Sequence, residues 1–236
     1  MITYVYEPHR LILTWRPAYP ATNLRKKLAV AELLHVHNNV IFRYLYNTED
    51  YDEACRLGFI GHPAFSIFEE VHNFGVMDAF IRRLPPRRRS DFNLYLKQYG
   101  LNADLPASDF ALLGYTGARL PSDPFELFMD LSAARPPVDL LLEIAGFKYT
   151  QPNVDTQDVI GMSLRFEREP TNEFDPKAIA IFQDSYKIGY VSRVLCDSFW
   201  RLLSRGFLDA KICTLNGTKG KTTAYMLINY RSTSLL

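Results

Sequence analysis

Apolar positions in the first half of the chain suggest an alternation of strands and helices. Runs of β-forming residues predict strands over 11–15 and 40–46. Leucines and alanines at helical spacing, with Arg25, Lys26 and Lys27 on the opposite side, predict an amphipathic helix over 24–34. A shorter helix is expected over 51–57, with Asp50 as its N-terminal cap and Gly58 at its end.

Helices dominate the prediction between residues 61 and 100. One is expected over 74–84, and the segment 87–91 opens a second, whose inward face comprises Phe92, Tyr95, Leu96 and Tyr99. Ser108 and Asp109 predict the cap of a third over 110–114, and 125–131 has the pattern of a strand. Residues 1–131 are therefore predicted to form a helical or mixed α+β module, which a proline-rich linker at 132–138 ends.

The second half has a different pattern, dominated by short strands. Six are predicted, over 140–147, 159–166, 178–182, 186–191, 208–215 and 222–230. One helix, over 194–203, precedes the last hairpin, with Ser192 as its cap and Gly206 at its end. Six short strands with a single helix predict a small closed or nearly closed β-barrel over 139–236. The predicted fold class of the whole chain is α+β.

Composition excludes several classes of protein. The 236 residues are 47% hydrophobic and 22% charged, which is ordinary for a soluble globular chain. The sequence lacks a long apolar run and a signal-peptide pattern, so the expected location is cytoplasmic, without a membrane partner. Three widely spaced cysteines favour reduced thiols over a disulfide framework. Because the net charge is only +1, any affinity for nucleic acid must come from a local arrangement of cations.

One polar stretch between two predicted strands carries a long motif. It reads Arg168-Glu169-Pro170-x-Asn172-x-Phe174-Asp175-Pro176-x-Ala178-Ile179, followed by Ile188-Gly189-Tyr190-Val191-x-Arg193. This pattern resembles the signature of the HIRAN domain, over about 139–231. The resemblance implies an OB-like barrel, found alone in bacteria, that binds single-stranded DNA at a free 3′ end. It implies neither an enzyme nor a cofactor.

The resemblance also implies which residues bind the DNA. Lys148 and Tyr149 match a basic-aromatic pair after the first strand, Phe174 and Asp175 match the aromatic-acid pair of the turn, and Arg193 matches a base after the Ile-Gly-Tyr-Val strand. Aromatic rings would stack bases, cations would neutralise phosphates, and an aspartate would accept a hydrogen bond from the terminal 3′-hydroxyl. Lys219 and Lys221, in the last hairpin turn, are candidates for additional basic contacts.

Two of these positions depart from the eukaryotic form of the family, because Lys148 replaces an arginine and Phe174 replaces a tyrosine. Stacking survives both changes, whereas a bidentate phosphate contact and a hydroxyl are lost. Structural roles are the alternative at the same positions. Asp175 can cap its own turn or pair with Arg168, and Phe174 can belong to the core.

Residues 40–130 carry a second resemblance, in shorter pieces. Phe80-Ile81-Arg82-Arg83-Leu84-Pro85-Pro86 and Asp109-Phe110-Ala111-Leu112-Leu113 are similar to segments of the N-terminal subdomain of HipA-type toxin kinases. Pro86 stands where that family has a glutamate. The chain has no Gly-rich phosphate loop and too few residues for a kinase body. The resemblance implies a module that binds a protein partner, and the alternative function is an interaction component of a toxin-antitoxin or phage-defence system with a separate effector.

The remaining candidate residues suggest ordinary surface roles. His9, His35, His37, His62 and His72 do not form a zinc motif, so surface histidines and no metal are expected. Arg82, Arg83 and Arg87 to Arg89 form the densest basic cluster, which we interpret as a solvated face; the alternatives are an extension of a nucleic-acid path and a surface that binds an acidic partner. Ser90, Ser192 and Ser198 lack companions for a catalytic triad.

Overall fold

The computed structural model describes residues 1–17, 26–150, 159–217 and 222–232. Backbone contacts divide the chain into two compact units. We call residues 7–95 with 106–133 the sheet-helix unit, and residues 1–6, 96–105 and 134–236 the C-terminal unit. Among the described residues, helices are all too short or too polar to cross a membrane.

The sheet-helix unit is built on a four-stranded antiparallel sheet, in the order β3-β2-β1-β4. Its strands are β1 (Arg10–Trp15), β2 (Leu28–Val36), β3 (Asn39–Tyr44) and β4 (Phe125–Met129). The helices between β3 and β4 are α1 (Glu49–Arg56), α2 (Val76–Ile81), α3 (Phe92–Gln98), which runs into the C-terminal unit, and α4 (Asp109–Thr116). The sequence predicted a helical or mixed module here. The structure shows a mixed one, in which a four-stranded sheet is the main element.

The helix predicted over 24–34 is wrong where the structure describes it. Residues 28–36 form β2, in the interior of the sheet between β1 and β3, and residues 24 and 25 lie outside the described part. Leu28, Val30, Ala31 and Leu33 are each fully buried, so both faces of the strand are covered. A strand buried on both faces loses its alternation of apolar and polar residues, and its leucines then mimic a helical period.

The N-termini of α1 and α4 are each capped by a side chain, one of them at the predicted residue. Ser108 caps α4 as predicted, because its Oγ accepts a hydrogen bond from the Ala111 amide at 3.0 Å. The predicted cap of α1, Asp50, is wrong: Thr48 caps this helix, and the Asp50 carboxylate accepts a hydrogen bond from the Ala29 amide at 2.9 Å. Thr and Asp are both good caps, so the choice depends on the contact with β2.

Three side chains predicted to lie at the surface, those of Arg83, His72 and His62, pack against other residues of the sheet-helix unit. The Arg83 side chain is 7% exposed and binds both carboxylate oxygens of Asp123, at 2.5 and 2.8 Å. His72 is buried, and its Nε2 lies 2.8 Å from the Ser66 carbonyl oxygen. His62 stacks on Phe65 and Phe80, with ring centroids 5.3 and 5.2 Å away. The sequence did not predict the contacts of Arg83 and His62, because Asp123 is 40 residues from Arg83 and the partners of His62 are aromatic rings.

The imidazole of His62 should make the stability of this unit depend on pH. Burial, reinforced by the neighbouring Arg83 guanidinium, lowers the pKa of His62 to about 4 from 6.5. Between these values the unfolded chain binds a proton that the folded chain resists, so the free energy of unfolding should fall as pH falls from 6.5 to 4. At about 1.4 kcal/mol per pKa unit, the loss is about 3 kcal/mol. Urea unfolding followed by Trp15 fluorescence, in a Trp200→Phe background, measures it. The same slope in a His62→Phe variant would contradict this assignment.

Six strands were predicted, and the described residues of the C-terminal unit form six, in two three-stranded antiparallel sheets. One sheet has the order β5-β10-β9, with β5 (Val138–Glu143), β9 (Phe207–Asn216) and β10 (Thr223–Arg231). The other has the order β6-β7-β8, with β6 (Arg165–Arg168), β7 (Ile179–Gln183) and β8 (Tyr186–Tyr190). Isolated backbone bridges, Ala145 to Tyr190 and Ser163 to Lys211, connect the two sheets. Closure of the six strands into a barrel stays a prediction.

Besides the end of α3, the described part of this unit contains two further α-helices. The short helix α5 (Phe147–Thr150) follows β5, and α6 (Cys196–Leu203) precedes the β9-β10 hairpin, as predicted. The predicted cap of this helix, Ser192, is wrong: a 3₁₀ turn, Arg193–Leu195, leads into α6, and Ser192 makes no side-chain capping bond. The strand predicted over 159–166 is wrong in its first half: residues 159–161 form a turn around Gly161, whose φ is 87°, and β6 begins at Arg165.

Residues 1–6 are held on the C-terminal unit by Asp139, a buried residue of β5. Its Oδ2 accepts hydrogen bonds from the Thr3 and Tyr4 amides at 2.8 and 3.1 Å. Its Oδ1 accepts from Asn229 Nδ2 at 2.8 Å and from Arg231 Nη2 at 2.6 Å.

The predicted boundaries at 131 and 139 stay predictions. The resemblance of 40–130 to the HipA subdomain, and the separate effector that it implies, also stay predictions.

Candidate nucleic-acid interface

The signature turn between β6 and β7 is closed by its own side chains. Asn172 Oδ1 accepts hydrogen bonds from the Phe174 and Asp175 amides at 3.0 and 3.1 Å, and Asp175 Oδ1 accepts from the Lys177 amide at 2.9 Å. Two asparagine- or aspartate-capped turns therefore follow one another, which is the local chemistry these residue types favour. Asn172 therefore helps to build this turn.

The same turn directs Phe174 outward. Its side chain is 83% exposed, so the alternative that Phe174 belongs to the core is wrong. An aromatic ring that projects into solvent from a hydrogen-bonded turn presents a flat apolar face at a fixed position. Such a face can stack a nucleic-acid base.

Asp175 and Arg193 lie together, as the predicted site requires. Arg193 Nε is 3.8 Å from Asp175 Oδ2, and the Asp175 side chain is 17% exposed. The alternative pair between Asp175 and Arg168 is wrong, because the Arg168 guanidinium lies over the Trp200 ring, 4.1 Å from its centroid. At 3.8 Å, the contact with Arg193 is an ion pair longer than a hydrogen bond.

A polar network beneath the turn involves residues that the sequence analysis did not select. Glu169 accepts hydrogen bonds from Lys187 Nζ at 2.9 Å, from Asn172 Nδ2 at 3.0 Å and from the Tyr190 hydroxyl at 3.1 Å. Burial opposes ionisation, but these three donors outweigh it and hold the pKa of Glu169 below its usual value. Because Asn172 also caps the amides of Phe174 and Asp175, the network fixes the turn on β8.

The second aromatic of the predicted site lies on α5, beside the same strand. Tyr149 is 73% exposed, and α5 packs against β8. Gly189 permits this approach: its φ is 151°, and a Cβ there would lie 2.6 Å from the Ala145 carbonyl oxygen. Gly146, which precedes α5, borders the Tyr190 ring. Tyr149 and Phe174 thus project from two segments that both adjoin Tyr190.

Cations around the turn are balanced by carboxylates. Lys177 Nζ lies 2.7 Å from Asp197 Oδ2, and this hydrogen-bonded pair raises the pKa of Lys177. Lys187 pairs with Glu169, and Arg193 with Asp175. Lys148 belongs to α5, and Lys219 and Lys221 lie outside the described residues. A phosphate of bound DNA must therefore compete with a carboxylate for these cations. Base stacking should then contribute a larger share of the binding free energy than the phosphate contacts.

Metal chemistry finds no support among the described residues, which contain no group of three or more His, Cys, Asp or Glu positioned to hold an ion. Cys196 is buried beneath the turn, and burial raises the pKa of its thiol to about 11. A thiol with that pKa stays protonated at neutral pH.

Comparison with known proteins identifies the region that carries this site. Residues 138–228 match the family model of the HIRAN domain. The HIRAN domain of human HLTF is similar in structure, with 13% sequence identity, 41% of this chain and 78% of that chain covered, and a TM-score of 0.32. A protein from Lactobacillus plantarum has 21% identity, 39% and 96% coverage, and a TM-score of 0.29. No curated protein matches the chain.

Proposed function

Because residues 138–228 form a HIRAN domain, which is a DNA-binding domain, we propose that the chain recognises the 3′ end of single-stranded DNA. The observation that carries this proposal is the exposed Phe174 ring beside the Asp175–Arg193 pair. An end-binding site needs a surface for the last bases, a cation for the phosphate, and an acceptor for the terminal hydroxyl. Phe174 and Asp175 in the signature turn, together with Arg193 after β8, offer all three.

The terminal nucleotide would occupy the surface bordered by α5 and the signature turn. Phe174 and Tyr149 would stack the last bases, and each stacked base contributes about 1–3 kcal/mol. Arg193 would bind the phosphate preceding the terminal nucleotide. Its distance of 3.8 Å from Asp175 allows both groups to contact the DNA without either one moving far.

Asp175 would provide the discrimination between an end and an internal position. A carboxylate accepts a hydrogen bond from a 3′-hydroxyl and repels a 3′-phosphate or the next phosphate of a continuing strand. The Asp175 side chain is held by the Lys177 amide and flanked by Arg193, so it is already oriented. Discrimination between a 3′-hydroxyl and a phosphate would therefore depend on the negative charge of Asp175.

An Asp175→Asn variant should therefore lose end selectivity while keeping the turn. The amide oxygen of asparagine can still cap the Lys177 amide, whereas the negative charge is absent. A hydrogen bond to a charged group contributes about 1.5–3 kcal/mol, so the preference for a 3′-hydroxyl over a 3′-phosphate oligonucleotide should shrink by about 10–150-fold. Fluorescence anisotropy with both oligonucleotides measures the ratio.

The matched control for this variant is Asp197→Asn, which removes the exposed carboxylate that pairs with Lys177. It lies on α6 and changes the net charge by the same amount. An equal change of the ratio in both variants would mean that overall charge, rather than Asp175, determines the preference.

A further inference from the structure

The loop between α1 and α2 presents apolar side chains to solvent in an unusual concentration. Ile60, Phe68 and Phe74 are 87%, 91% and 92% exposed, and Val71 between them is 45% exposed. We call residues 59–75 the apolar loop. Single exposed apolar residues are common, but several large ones on one loop are typical of an interaction surface.

This exposure is built into the fold of the sheet-helix unit. The Tyr44 hydroxyl donates to the Phe65 carbonyl oxygen at 2.7 Å, and the Tyr46 hydroxyl donates to that of Ile67 at 2.6 Å. Backbone hydrogen bonds of 2.8 Å in both directions join Phe42 and His72. Phe65 stacks inside on Phe42, with centroids 4.3 Å apart. With the backbone anchored on both sides of it, Phe68 cannot turn inward unless these contacts break.

The charges next to the exposed rings restrict what can bind there. Glu69 and Glu70, both exposed, separate Phe68 from Val71. Two carboxylates beside an aromatic ring repel the phosphates of nucleic acid and of anionic lipids. They attract a surface that combines apolar groups with arginine or lysine.

The chain has such a surface in the same unit. The segment 82–94, which we call the basic segment, contains exposed Arg82 and Arg88 and the 63% exposed Leu94. Its other arginines in the exposed part, Arg87 and Arg89, pair with Asp109 and Asp91. Arg82 and Arg88 form no ion pair with any residue that the structure describes. The acidic, apolar loop and the basic segment are therefore complementary in charge.

From this complementarity we propose that the protein self-associates, with the apolar loop of each copy packed on the basic segment of the other. Two such contacts, related by a two-fold axis, form a closed dimer. Phe68 and Phe74 from both copies would contribute about 600–1,000 Å² of buried area, at about 150–250 Å² per ring. With the surface that they cover, the total reaches the range of roughly 1,200–2,000 Å² for a stable interface.

A dimer would place two HIRAN domains in one particle. Two linked DNA-binding sites gain avidity for a DNA that offers two ends within reach, without any change in either site. The self-association itself does not rest on the proposed 3′-end specificity.

Sedimentation velocity of the full chain over a range of concentrations tests the proposal. The unaltered chain should dimerise, and Phe68→Ser with Phe74→Ser should raise the dissociation constant of the dimer at least about tenfold. Both side chains are more than nine-tenths exposed, so folding should be unaffected, which circular dichroism checks. Tyr186→Ser, at a residue 75% exposed in the C-terminal unit, is the matched control and should leave the dimer intact.

Charge reversal makes the test specific for the two surfaces. Glu69→Lys with Glu70→Lys, and separately Arg82→Glu with Arg88→Glu, should each weaken the homodimer, and an equimolar mixture of the two variants should form a heterodimer. A monomer at every concentration, a dimer insensitive to the serine variants, or failure of the mixture to associate would overturn the proposal. Weaker oligonucleotide binding by the serine variants, at concentrations where the unaltered chain is a monomer, would also overturn it. The apolar loop would then be a surface that binds nucleic acid.

Discussion

Replacing Asp139 with alanine should lower the free energy of unfolding of the C-terminal unit by about 3–5 kcal/mol. The carboxylate is 1% exposed and accepts hydrogen bonds from the Thr3 and Tyr4 amides and from the side chains of Asn229 and Arg231. Although burial alone favours the protonated form, these donors keep the pKa of Asp139 below its usual value. Alanine would leave these partly buried donors without their acceptor, and the Thr3 and Tyr4 amides would lose their bonds to β5, while the bond from the Asp139 amide to the Tyr4 carbonyl oxygen, at 2.8 Å, would remain.

Urea unfolding followed by Trp200 fluorescence, in a Trp15→Phe background, reports on this unit separately from the other. The matched control is Asp209→Ala in β9, whose carboxylate is 41% exposed and lies 3.7 Å from Lys211 Nζ. An exposed pair contributes about 0–1 kcal/mol, so the control should change little. Similar losses for both variants would show that Asp139 does not hold the N-terminal segment in place.

The second large effect concerns DNA affinity rather than stability. Changing both Tyr149 and Phe174 to alanine should weaken binding of a single-stranded oligonucleotide by about 2–6 kcal/mol, since each stacked base contributes about 1–3 kcal/mol. The rings are 73% and 83% exposed, so their removal sacrifices little burial within the fold. The amides that close the turn belong to the backbone and remain.

Fluorescence anisotropy at a fixed salt concentration measures this change, because phosphate contacts vary strongly with salt. Tyr186→Ala is the matched control, since Tyr186 is 75% exposed and begins β8 in the same sheet as the turn. The control should bind as the unaltered chain does. Equal losses at Tyr186 and at the two site residues would show that any exposed ring contributes, and the proposed site would lose its support.

The β-strands of the C-terminal unit could be predicted because short-range patterns determine them. Strand β7 has a fully buried run, Ile179 to Ile181, bounded by a polar turn on one side and by Asp184, at φ 51°, on the other. The 168–193 motif likewise indicated the turn and, through the family resemblance, assigned Phe174, Asp175 and Arg193 to one site, whereas the ion pair between Asp175 and Arg193 was not predicted.

Strand β2 and Asp139 could not be predicted, for a common reason. The buried faces of β2 are covered by elements distant in sequence, and its leucines alone fit a helix as well as a strand. Asp139 is one aspartate in an apolar strand, and its partners lie more than 130 residues before it and about 90 residues after it. The spacing of apolar and polar residues within one element does not predict contacts between residues so far apart in the sequence.

The hydrogen bonds to Glu169 could be predicted only in part. Their donors, Asn172, Lys187 and Tyr190, come from the signature stretch and from β8, and the motif already included three of the four residues. The missing information was that the hydroxyl of Tyr190 and the amine of Lys187 converge on one carboxylate. A glutamate three residues before a turn-building asparagine is the only local indication of it.

The central claim is that the HIRAN domain of this chain distinguishes the 3′ end of a single strand. The most direct test compares two oligonucleotides of identical sequence and charge, one with a phosphate on its 3′ end and one with a phosphate on its 5′ end, by anisotropy with the unaltered chain. We predict that the 5′-phosphorylated strand, whose 3′-hydroxyl is free, binds at least about tenfold more tightly, as expected for loss of a charged hydrogen bond. Equal affinities for the two strands would contradict the claim.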